Sequence, residues 1–237
     1  CAGIRVMASD GSLVADGLKE DDYASFLAEA VEPWSYLKFP YIKALGPEAG
    51  SYRVGPLARL NLCERIGTER ADRELLELRQ RGGRVVTASF LYHLARLIEI
   101  LACLEQMEQL LDDPELTATH VRARASVNCH EAVGVSEAPR GTLLHHYRVD
   151  ANGLIERVNL IIATGQNNRA MNRTITQIAR HYLGGNNLSE VLLNRVEAGI
   201  RCFDPCLSCS THAAGQMPLQ VQLFNAAGEL LQQRRRD

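Results

Sequence analysis

Residues 87–111, TASFLYHLARLIEILACLEQMEQLL, carry the most regular hydrophobic pattern in the chain. Large apolar side chains recur at spacings of four, three, four and three residues, at Phe90, Leu94, Leu97, Leu101 and Leu104. This period is typical of an amphipathic α-helix, and Asp112-Asp113-Pro114 predicts where the helix ends. The apolar stripe of so long a helix needs another long helix to cover it, so the pattern predicts a helix bundle. Cys103 lies inside the pattern and is interpreted as a small core residue.

Four shorter helices are predicted on either side of this one. They cover residues 22–31, 69–81, 166–183 and 189–203. Pro33 closes the first, a Gly-Gly pair follows the second and the third, and Ser189 is placed to cap the last. The stretch 32–59 holds four prolines, so we expect a loop-rich segment packed against the rest of the protein.

Two β-hairpins complete the predicted elements. Residues 142–149 and 154–163 are β-rich runs on either side of an Asn-Gly turn signal within 150–153. The apolar far end of the second run predicts a strand buried on both faces. After His212 the sequence predicts a strand, a turn and a short second strand. The predicted fold class is therefore α+β and predominantly α, a bundle of long helices with small β elements.

The composition excludes several classes of protein. With 237 residues, 46% of them hydrophobic, the chain can bury a sizeable core. Its formal net charge of −2 gives no basic field for nucleic acid. No apolar run approaches the roughly 20 residues that cross a bilayer, and no secretion signal opens the sequence. We therefore expect a cytoplasmic protein without membrane insertion. The glycine-rich loops that bind dinucleotides and nucleoside triphosphates are also missing from the sequence.

The seven cysteines are odd in number and scattered along the chain. A disulfide framework is therefore not expected, and reduced thiols or metal ligands are the better interpretation. The sequence opens with Cys1 instead of Met and starts as if inside a strand–turn unit. We interpret this as a missing upstream segment.

Residues 204–212, DPCLSCSTH, bring two of these cysteines together. Pro205 cannot continue the preceding helix and pushes Asp204 toward an extended conformation, from which Asp204 can cap a new turn. Cys206 and Cys209 are three residues apart in that turn, so both sulfurs face the same way. A helix N-terminus also lowers thiol pKa values. The spacing predicts a pair of thiolates, and His212 continues the same edge.

Spacing alone leaves the use of this pair open. Tetrahedral zinc and thiolate-bound nickel need about four ligands, so one CxxC is half a site. A structural zinc half-site, a thioredoxin-like redox pair and two simple packing cysteines all remain possible on this evidence.

Several longer motifs place the pair in a known context. They are EPWSYLKFPY (32–41), RVGPLAR (53–59), EAPRGTLLHHY (137–147), LIIATGQNNRAMNRT (160–174) and DPCLSCSTHAAGQMPL (204–219). Together they closely resemble the C-terminal part of the large subunit of nickel–iron hydrogenases, most of all the NAD(P)-linked bidirectional type. The resemblance implies the nickel–iron hydrogenase large-subunit fold with its N-terminal part missing. That part would carry a second CxxC and a proton-transferring glutamate.

The resemblance implies reversible heterolytic cleavage of H2 at a nickel–iron centre. Nickel would be held by four thiolates, with Cys206 terminal and Cys209 bridging nickel and iron. The iron would carry one carbon monoxide and two cyanides. Arg140, paired with Asp204, would hang over the open face of the metals. The pocket for the diatomic ligands would be lined by Pro139, Ala163 and Thr164.

His212 resembles the last residue of the mature family members, which helps to bind a magnesium ion. The resemblance therefore divides the chain into residues 1–212, the C-terminal part of the large subunit, and residues 213–237, an extension removed on maturation. A dedicated endopeptidase would cut between His212 and Ala213 once nickel chaperones have delivered the metal.

The resemblance also implies partners. A small subunit with iron–sulfur clusters would take the electrons, and a diaphorase flavoprotein with FMN would pass them to NAD(P). Two other functions stay open: a non-catalytic scaffold like the related subunit of respiratory NADH–quinone oxidoreductase, and a CxxC zinc or thiol-redox protein.

Five further residues receive structural interpretations. His145 and His146 are adjacent in a predicted strand and point to opposite faces, so they cannot bind one metal together. Cys129 and Cys202 lack ligand spacing and are interpreted as packing residues. Glu137 is a candidate for holding the loop that carries Arg140.

Overall fold

The structure is a computed structural model that describes residues 3–123, 129–183, 187–206, 208 and 219–236. Within these ranges the helices are α1 (Tyr23–Phe26), α2 (Gly46–Ala49), α3 (Pro56–Leu62), α4 (Glu69–Gly82), α5 (Leu91–Leu111), α6 (Ala163–Tyr182) and α7 (Glu190–Arg201). The strands are β1 (Ile4–Met7), β2 (Leu13–Leu18), β3 (Leu27–Val31), β4 (Lys38–Ile42), β5 (Glu131–Ala138), β6 (Gly141–Val149), β7 (Ile155–Ile161), β8 (Leu219–Phe224) and β9 (Leu230–Arg236). The α+β, mainly helical fold class is confirmed.

The described sheets are small and antiparallel. β1–β2, β3–β4 and β8–β9 are two-stranded, and β5–β6–β7 is a three-stranded meander. The predicted hairpin corresponds to β6 and β7, whereas β5 was not predicted. The far end of β7 is buried at Ile161, but Leu160 is 43% exposed, so burial on both faces is wrong for that residue.

The main core lies between α3, α4 and α5. Its buried residues are Leu57, Leu60, Ala71, Leu75, Leu78, Val86, Tyr92, Ala95, Ile98, Ala102, Cys202 and Phe203. The last two follow α7 directly, so the end of that helix is anchored between the other three. This anchoring fixes the direction in which the chain continues toward Cys206.

The long helix α5 exists where predicted, but it turns a different face to the core. Phe90, Leu97 and Leu104 are 51%, 62% and 54% exposed, while Tyr92, Ala95, Ile98 and Ala102 are buried. The helix is apolar around most of its circumference, and the alanines allow α4 to approach closely. Cys103 is exposed, so its interpretation as a core residue is wrong.

The prediction of a helix over 22–31 is wrong for most of that stretch. Only α1 is helical, and Leu27 already has extended dihedrals, φ −101° and ψ 143°. The five residues of β3 pair with β4 from Leu27↔Ile42 to Val31↔Lys38. This sheet partner lies within the 32–59 stretch predicted to be loop-rich, so pairing overrides the local helical pattern.

The remaining predicted helices and the last hairpin are confirmed within the described residues, whereas the Gly-Gly pair predicted to follow α6, at 184–185, lies outside them. Gly83 ends α4 with φ 82°, and Ser189 caps α7 by accepting a hydrogen bond from the Leu192 N–H at 3.2 Å. β8 and β9 form the hairpin predicted after His212. Among the described helices, none has the length and apolarity to cross a bilayer.

A second core joins α6, α7 and the β8–β9 hairpin. Ile178, Leu192 and Val196 are buried there, with Val221 and Leu223 of β8 packed against them. The hairpin is also held by charge, because Arg236 in β9 pairs with Glu190 and with Glu197 of α7.

Candidate functional site

Two buried residues, Cys202 and Phe203, hold the chain in place just before the candidate site. Cys202 and Phe203 are fully buried, and the Phe203 ring lies 5.1 Å from the ring of Tyr92 in α5. The Cys202 Sγ contacts the Ala198 carbonyl at 3.2 Å, and burial raises the pKa of its thiol. Cys202 is therefore a packing residue, as predicted. Cys129 is exposed, so the same interpretation is wrong for it.

Asp204 adopts a left-handed backbone conformation instead of the predicted extended one. Its φ is 47°, a value that Asp tolerates better than most residues. The Asp204 N–H donates to the Arg201 carbonyl at 3.0 Å as the chain leaves α7. The positive φ then turns the Asp204 carbonyl toward Arg140. Whether Asp204 also caps a following turn depends on residues outside the described part.

Cys206 lies next to the first turn of α6. Its N–H donates to the Thr164 Oγ1 at 3.2 Å, and its Sγ lies 3.4 Å from the Ser208 Oγ. The sulfur is disulfide-bonded in this structure. The free cysteines among the described residues are Cys63, Cys103, Cys129 and Cys202.

Arg140 lies in the two-residue turn between β5 and β6 and reaches Asp204. Its Nε donates to the Asp204 backbone carbonyl at 2.7 Å and is 3.1 Å from the Asp204 Oδ2. The ion pair inferred from the resemblance is therefore present, with a backbone contact that was not predicted. Both side chains are about two-fifths exposed, at 41% and 44%.

Polar residues at the start of α6 hold this turn, and sequence reasoning missed them. The Asn167 Nδ2 donates to the Arg140 carbonyl at 3.3 Å, while its Oδ1 accepts from the Val54 N–H at 2.9 Å. The Gln166 Nε2 donates to the Thr142 carbonyl at 2.5 Å and its Oε1 accepts from the Tyr52 hydroxyl at 3.0 Å. The sequence feature that could have predicted these polar contacts is the polar run within LIIATGQNNRAMNRT.

The predicted pocket residues are divided between two environments. Ala163 and Thr164 are 4% and 6% exposed, and they form the first turn of α6 instead of the end of a strand. Strand β7 ends at Ile161 because the chain turns there into the helix. Pro139 lies in the β5–β6 turn and is exposed.

Two structural interpretations from the sequence are supported. His146 is bonded to the Tyr23 hydroxyl at 3.0 Å and to Glu131 at 2.8 Å, so it is a hydrogen-bonded strand residue. Glu137 accepts from Arg59 at 2.7 Å, next to the turn that carries Arg140.

Part of the predicted site falls outside the described residues, namely Cys209, His212 and Ala213. Within the described ranges, no group of three or more His, Cys, Asp or Glu side chains is arranged to hold a metal ion.

Comparisons with known proteins identify the family of the chain. The model of the family described as "Nickel-dependent hydrogenase" matches residues 9–212. The chain is 46% identical over 237 residues to the NAD-reducing hydrogenase HoxS subunit beta of Cupriavidus necator, covering 98% of this chain and 48% of that protein. It is 40% identical over 233 residues to a chain of the F420-non-reducing hydrogenase of Methanothermobacter thermautotrophicus, covering 96% and 49% respectively.

Solved structures extend the likeness to the fold. The crystal structure of an NAD+-reducing [NiFe]-hydrogenase in the H2-reduced state matches with a TM-score of 0.83 and 47% identity, over 89% of this chain and 47% of that chain. A [NiFeSe] hydrogenase from Desulfovibrio vulgaris Hildenborough shares the fold, with a TM-score of 0.61 at 22% identity over 88% and 48%.

The matched motifs and the superposed fold define the large-subunit fold of a hydrogenase. The chain belongs to the nickel-dependent hydrogenase family. It spans about half the length of the relatives it matches.

Proposed function

We propose that this chain is the C-terminal, metal-bearing part of a nickel–iron hydrogenase large subunit, and that the whole protein catalyses H2 ⇌ 2H+ + 2e−. The proposal depends on one observation above all. Three separate segments of this chain, which belongs to the hydrogenase family, meet at one place. They bring together the Cys206 backbone, the buried Thr164 hydroxyl and the Arg140–Asp204 pair. Cys206 is therefore only two residues beyond Asp204, the acidic member of the ion pair.

The donors of the described residues fit one side of a nickel site. Nickel with thiolate ligands takes about four of them, and reduced Cys206 would supply one. Cys209 would supply the second. The other two would come from a CxxC that this chain does not include. The centre, whose iron would bear carbon monoxide and two cyanides, supplies the Lewis acidity that polarises H2.

The first turn of α6 suits the diatomic ligands of the iron. Backbone N–H groups in a first helical turn have no intrahelical acceptor and carry partial positive charge. Ala163 and Thr164 would line the ligands there, with Pro139 from the facing turn. The Thr164 oxygen accepts from Cys206, so its own O–H remains available to donate to a cyanide nitrogen.

Arg140 would position and polarise the substrate without taking its proton. A guanidinium is effectively never deprotonated in proteins, and Arg140 is paired with the Asp204 carboxylate. We therefore assign the Cys206 thiolate as the acceptor of the first proton released from H2.

The two electrons would leave through iron–sulfur clusters of a small subunit. A flavoprotein partner with FMN would use them in NAD(P)+ + 2e− + H+ → NAD(P)H. The support for this direction is the likeness to a hydrogenase named NAD-reducing. We place the enzyme in the cytoplasm.

Residues 1–212 would form the mature part of this chain and 213–237 a removable extension. Nickel chaperones would deliver the metal before an endopeptidase cuts between His212 and Ala213. His212 would then be the last residue and would help to bind magnesium.

One second candidate is a CxxC zinc or thiol-redox protein; in the redox case the disulfide of Cys206 would open and close during turnover. A non-catalytic scaffold is less well supported, because a chain without metal chemistry has no need for the Cys206 and Cys209 pair together with Arg140.

The test is H2-dependent reduction of NAD+ or NADP+ by the full-length protein, purified with its partner subunits under reducing conditions. The proposal predicts activity that Cys206→Ser abolishes and Cys63→Ser, a change at a free cysteine of another segment, preserves. A protein that takes no nickel and exchanges electrons only through a reversible Cys206 disulfide would instead support the thiol-redox function.

A further inference from the structure

Arg59, at the end of the RVGPLAR motif, uses every donor of its guanidinium. Its Nε and Nη2 each donate to the Glu99 carboxylate at 2.7 Å. Its Nη1 donates to the Glu137 Oε2 at 2.7 Å and to the Ala138 carbonyl at 2.9 Å. Its Nη2 also donates to the Pro139 carbonyl at 3.1 Å. A guanidinium has five N–H donors in one plane, and these contacts account for all of them.

Three of these contacts hold the chain directly before Arg140. Ala138 pairs with Gly141 at the end of the β5–β6 ladder, so only Pro139 and Arg140 lie in the turn. The Thr142 hydroxyl donates to Glu137 across the base of the turn. Arg59 therefore grips two consecutive backbone carbonyls of a tight, closed turn.

The opposite side of the turn is closed by backbone and by α6. The Arg140 carbonyl accepts from the Asn167 side chain at 3.3 Å. A Cβ placed on Gly55 would lie 2.6 Å from the same carbonyl oxygen, so the α3 N-terminus packs against it directly. Held from both sides, the turn has little freedom to shift without breaking the Arg59 contacts.

We propose that Arg59 is a positioning residue for hydrogen turnover, which fixes the Arg140 guanidinium relative to Asp204 and Cys206 by holding the carbonyls of Ala138 and Pro139. The inference rests on the proposed function, because Arg140 has a substrate to position only there. It assigns to Arg59 an effect on turnover that runs through Arg140 and leaves the metals in place.

The chemistry of the site requires arginine. Burial alone would lower the pKa of the Arg59 guanidinium, but the hydrogen bonds and charges of Glu99 and Glu137 outweigh it and raise the pKa. The side chain is therefore a permanent cation. Lysine has one ammonium with three donors, so it cannot replace the five hydrogen bonds that Arg59 makes to Glu99, Glu137 and the two turn carbonyls.

A double-mutant cycle on kcat separates this role from a general structural one. In the metal-loaded full-length enzyme with its partners, Arg59→Lys is expected to lower kcat about 10-fold, and by no more than Arg140→Lys does, since misplacing a catalytic group by about 1 Å can cost up to about 100-fold. The infrared stretches of iron-bound carbon monoxide and cyanide should still be present, which shows that the metals remain in place. In an Arg140→Lys background, adding Arg59→Lys should cost only about twofold, because coupled residues are non-additive. Equal losses in both backgrounds would overturn the inference.

Arg79 is the matched control for this cycle. It too donates its guanidinium to backbone carbonyls, but these belong to Leu60, Cys63 and Glu64 at the end of α3 and just after it, and not to residues 137–140. Arg79→Lys should therefore combine additively with Arg140→Lys.

A crystal structure of the full-length Arg59→Lys protein gives a readout independent of activity. The Arg140 Nε should move beyond hydrogen-bonding distance of the Asp204 carbonyl, which is now 2.7 Å away. An unchanged contact would refute the positioning role. If the metal-loaded wild type does not turn over H2, the proposed function fails, and this crystallographic comparison still decides whether Arg59 holds Arg140.

Discussion

The Nε of Arg140 is closer to the backbone carbonyl of Asp204, at 2.7 Å, than to its carboxylate, at 3.1 Å. The guanidinium therefore depends on the backbone conformation of Asp204 as well as on its charge. Asp204 is the one residue other than glycine with a positive φ among those the structure describes. Removing the charge and removing the side chain should thus have separable effects.

Asp204→Asn should keep the backbone contact and the tolerance for a left-handed φ, while Asp204→Ala should lose that tolerance. A left-handed conformation costs most L-residues about 1–2 kcal/mol. We expect both variants to lower kcat and only the alanine variant to lower the free energy of unfolding by about that amount. Denaturant unfolding of the full-length protein checks this, and equal unfolding free energies for the two variants would contradict it.

Arg140→Lys should leave appreciable hydrogenase activity. Lysine keeps a positive charge at this position although it loses the planar fork, and the proton is assigned to the Cys206 thiolate. The measurement is kcat together with nickel and iron content. Full loss of activity with both metals retained would indicate that Arg140 itself is the base.

Gly55→Ala should lower both stability and activity. Its φ of 98° is unfavourable for alanine, and its new Cβ would lie 2.6 Å from the Arg140 carbonyl oxygen. Gly67→Ala is the control, because Gly67 has a φ of 99° with no atom within 4 Å of the added Cβ. In both variants the positive φ should lower the free energy of unfolding by about 1–2 kcal/mol. A loss of activity as large in Gly67→Ala as in Gly55→Ala would exclude the contact as the cause.

Glu105 of α5 should make stability depend on pH. Its carboxylate accepts hydrogen bonds from the Arg70 and Ala71 N–H groups at 2.9 and 3.0 Å. These groups lie in the first turn of α4, so Glu105 takes the place of an N-cap side chain of that helix. Burial alone would raise the pKa of Glu105, but these hydrogen bonds outweigh it and lower the pKa. Its stabilising contribution is therefore complete above the pKa of the unfolded chain and is lost as the pH falls through the folded pKa.

Glu105→Gln should consequently be less stable than wild type near neutral pH, with a difference that shrinks in acid. Urea unfolding over a series of pH values measures it. Glu108→Gln, at an exposed position of the same helix, should show no such trend. A Glu105→Gln deficit that stays constant into acid would refute the assignment.

The sequence predicted the elements that local chemistry determines. Gly83 and Ser189 mark helix ends through their own backbone and side-chain geometry, so α4 and α7 were found almost to the residue. The period of α5 was equally clear, but its apolar residues cover most of its circumference, so the pattern could not tell which face α4 and α3 would bury.

What the sequence could not predict depends on partners distant in the chain. β3 carries a helical pattern and is a strand because β4 pairs with it. The resemblance to a family predicted that Arg140 pairs with Asp204. It did not predict the left-handed φ of Asp204. Arg59 was missed because its acceptors lie 40 to 80 residues away, and only the folded chain brings them together.

The central claim is that Cys206 binds the metal of a hydrogenase centre, and nickel analysis of the full-length protein tests it most directly. The protein should be purified with its partner subunits under reducing conditions, as wild type and as Cys206→Ser. If Cys206 is a nickel ligand, the wild type should contain stoichiometric nickel, and a folded Cys206→Ser protein should lose it. Nickel retained by Cys206→Ser, or a wild type that carries zinc or no metal, would contradict it.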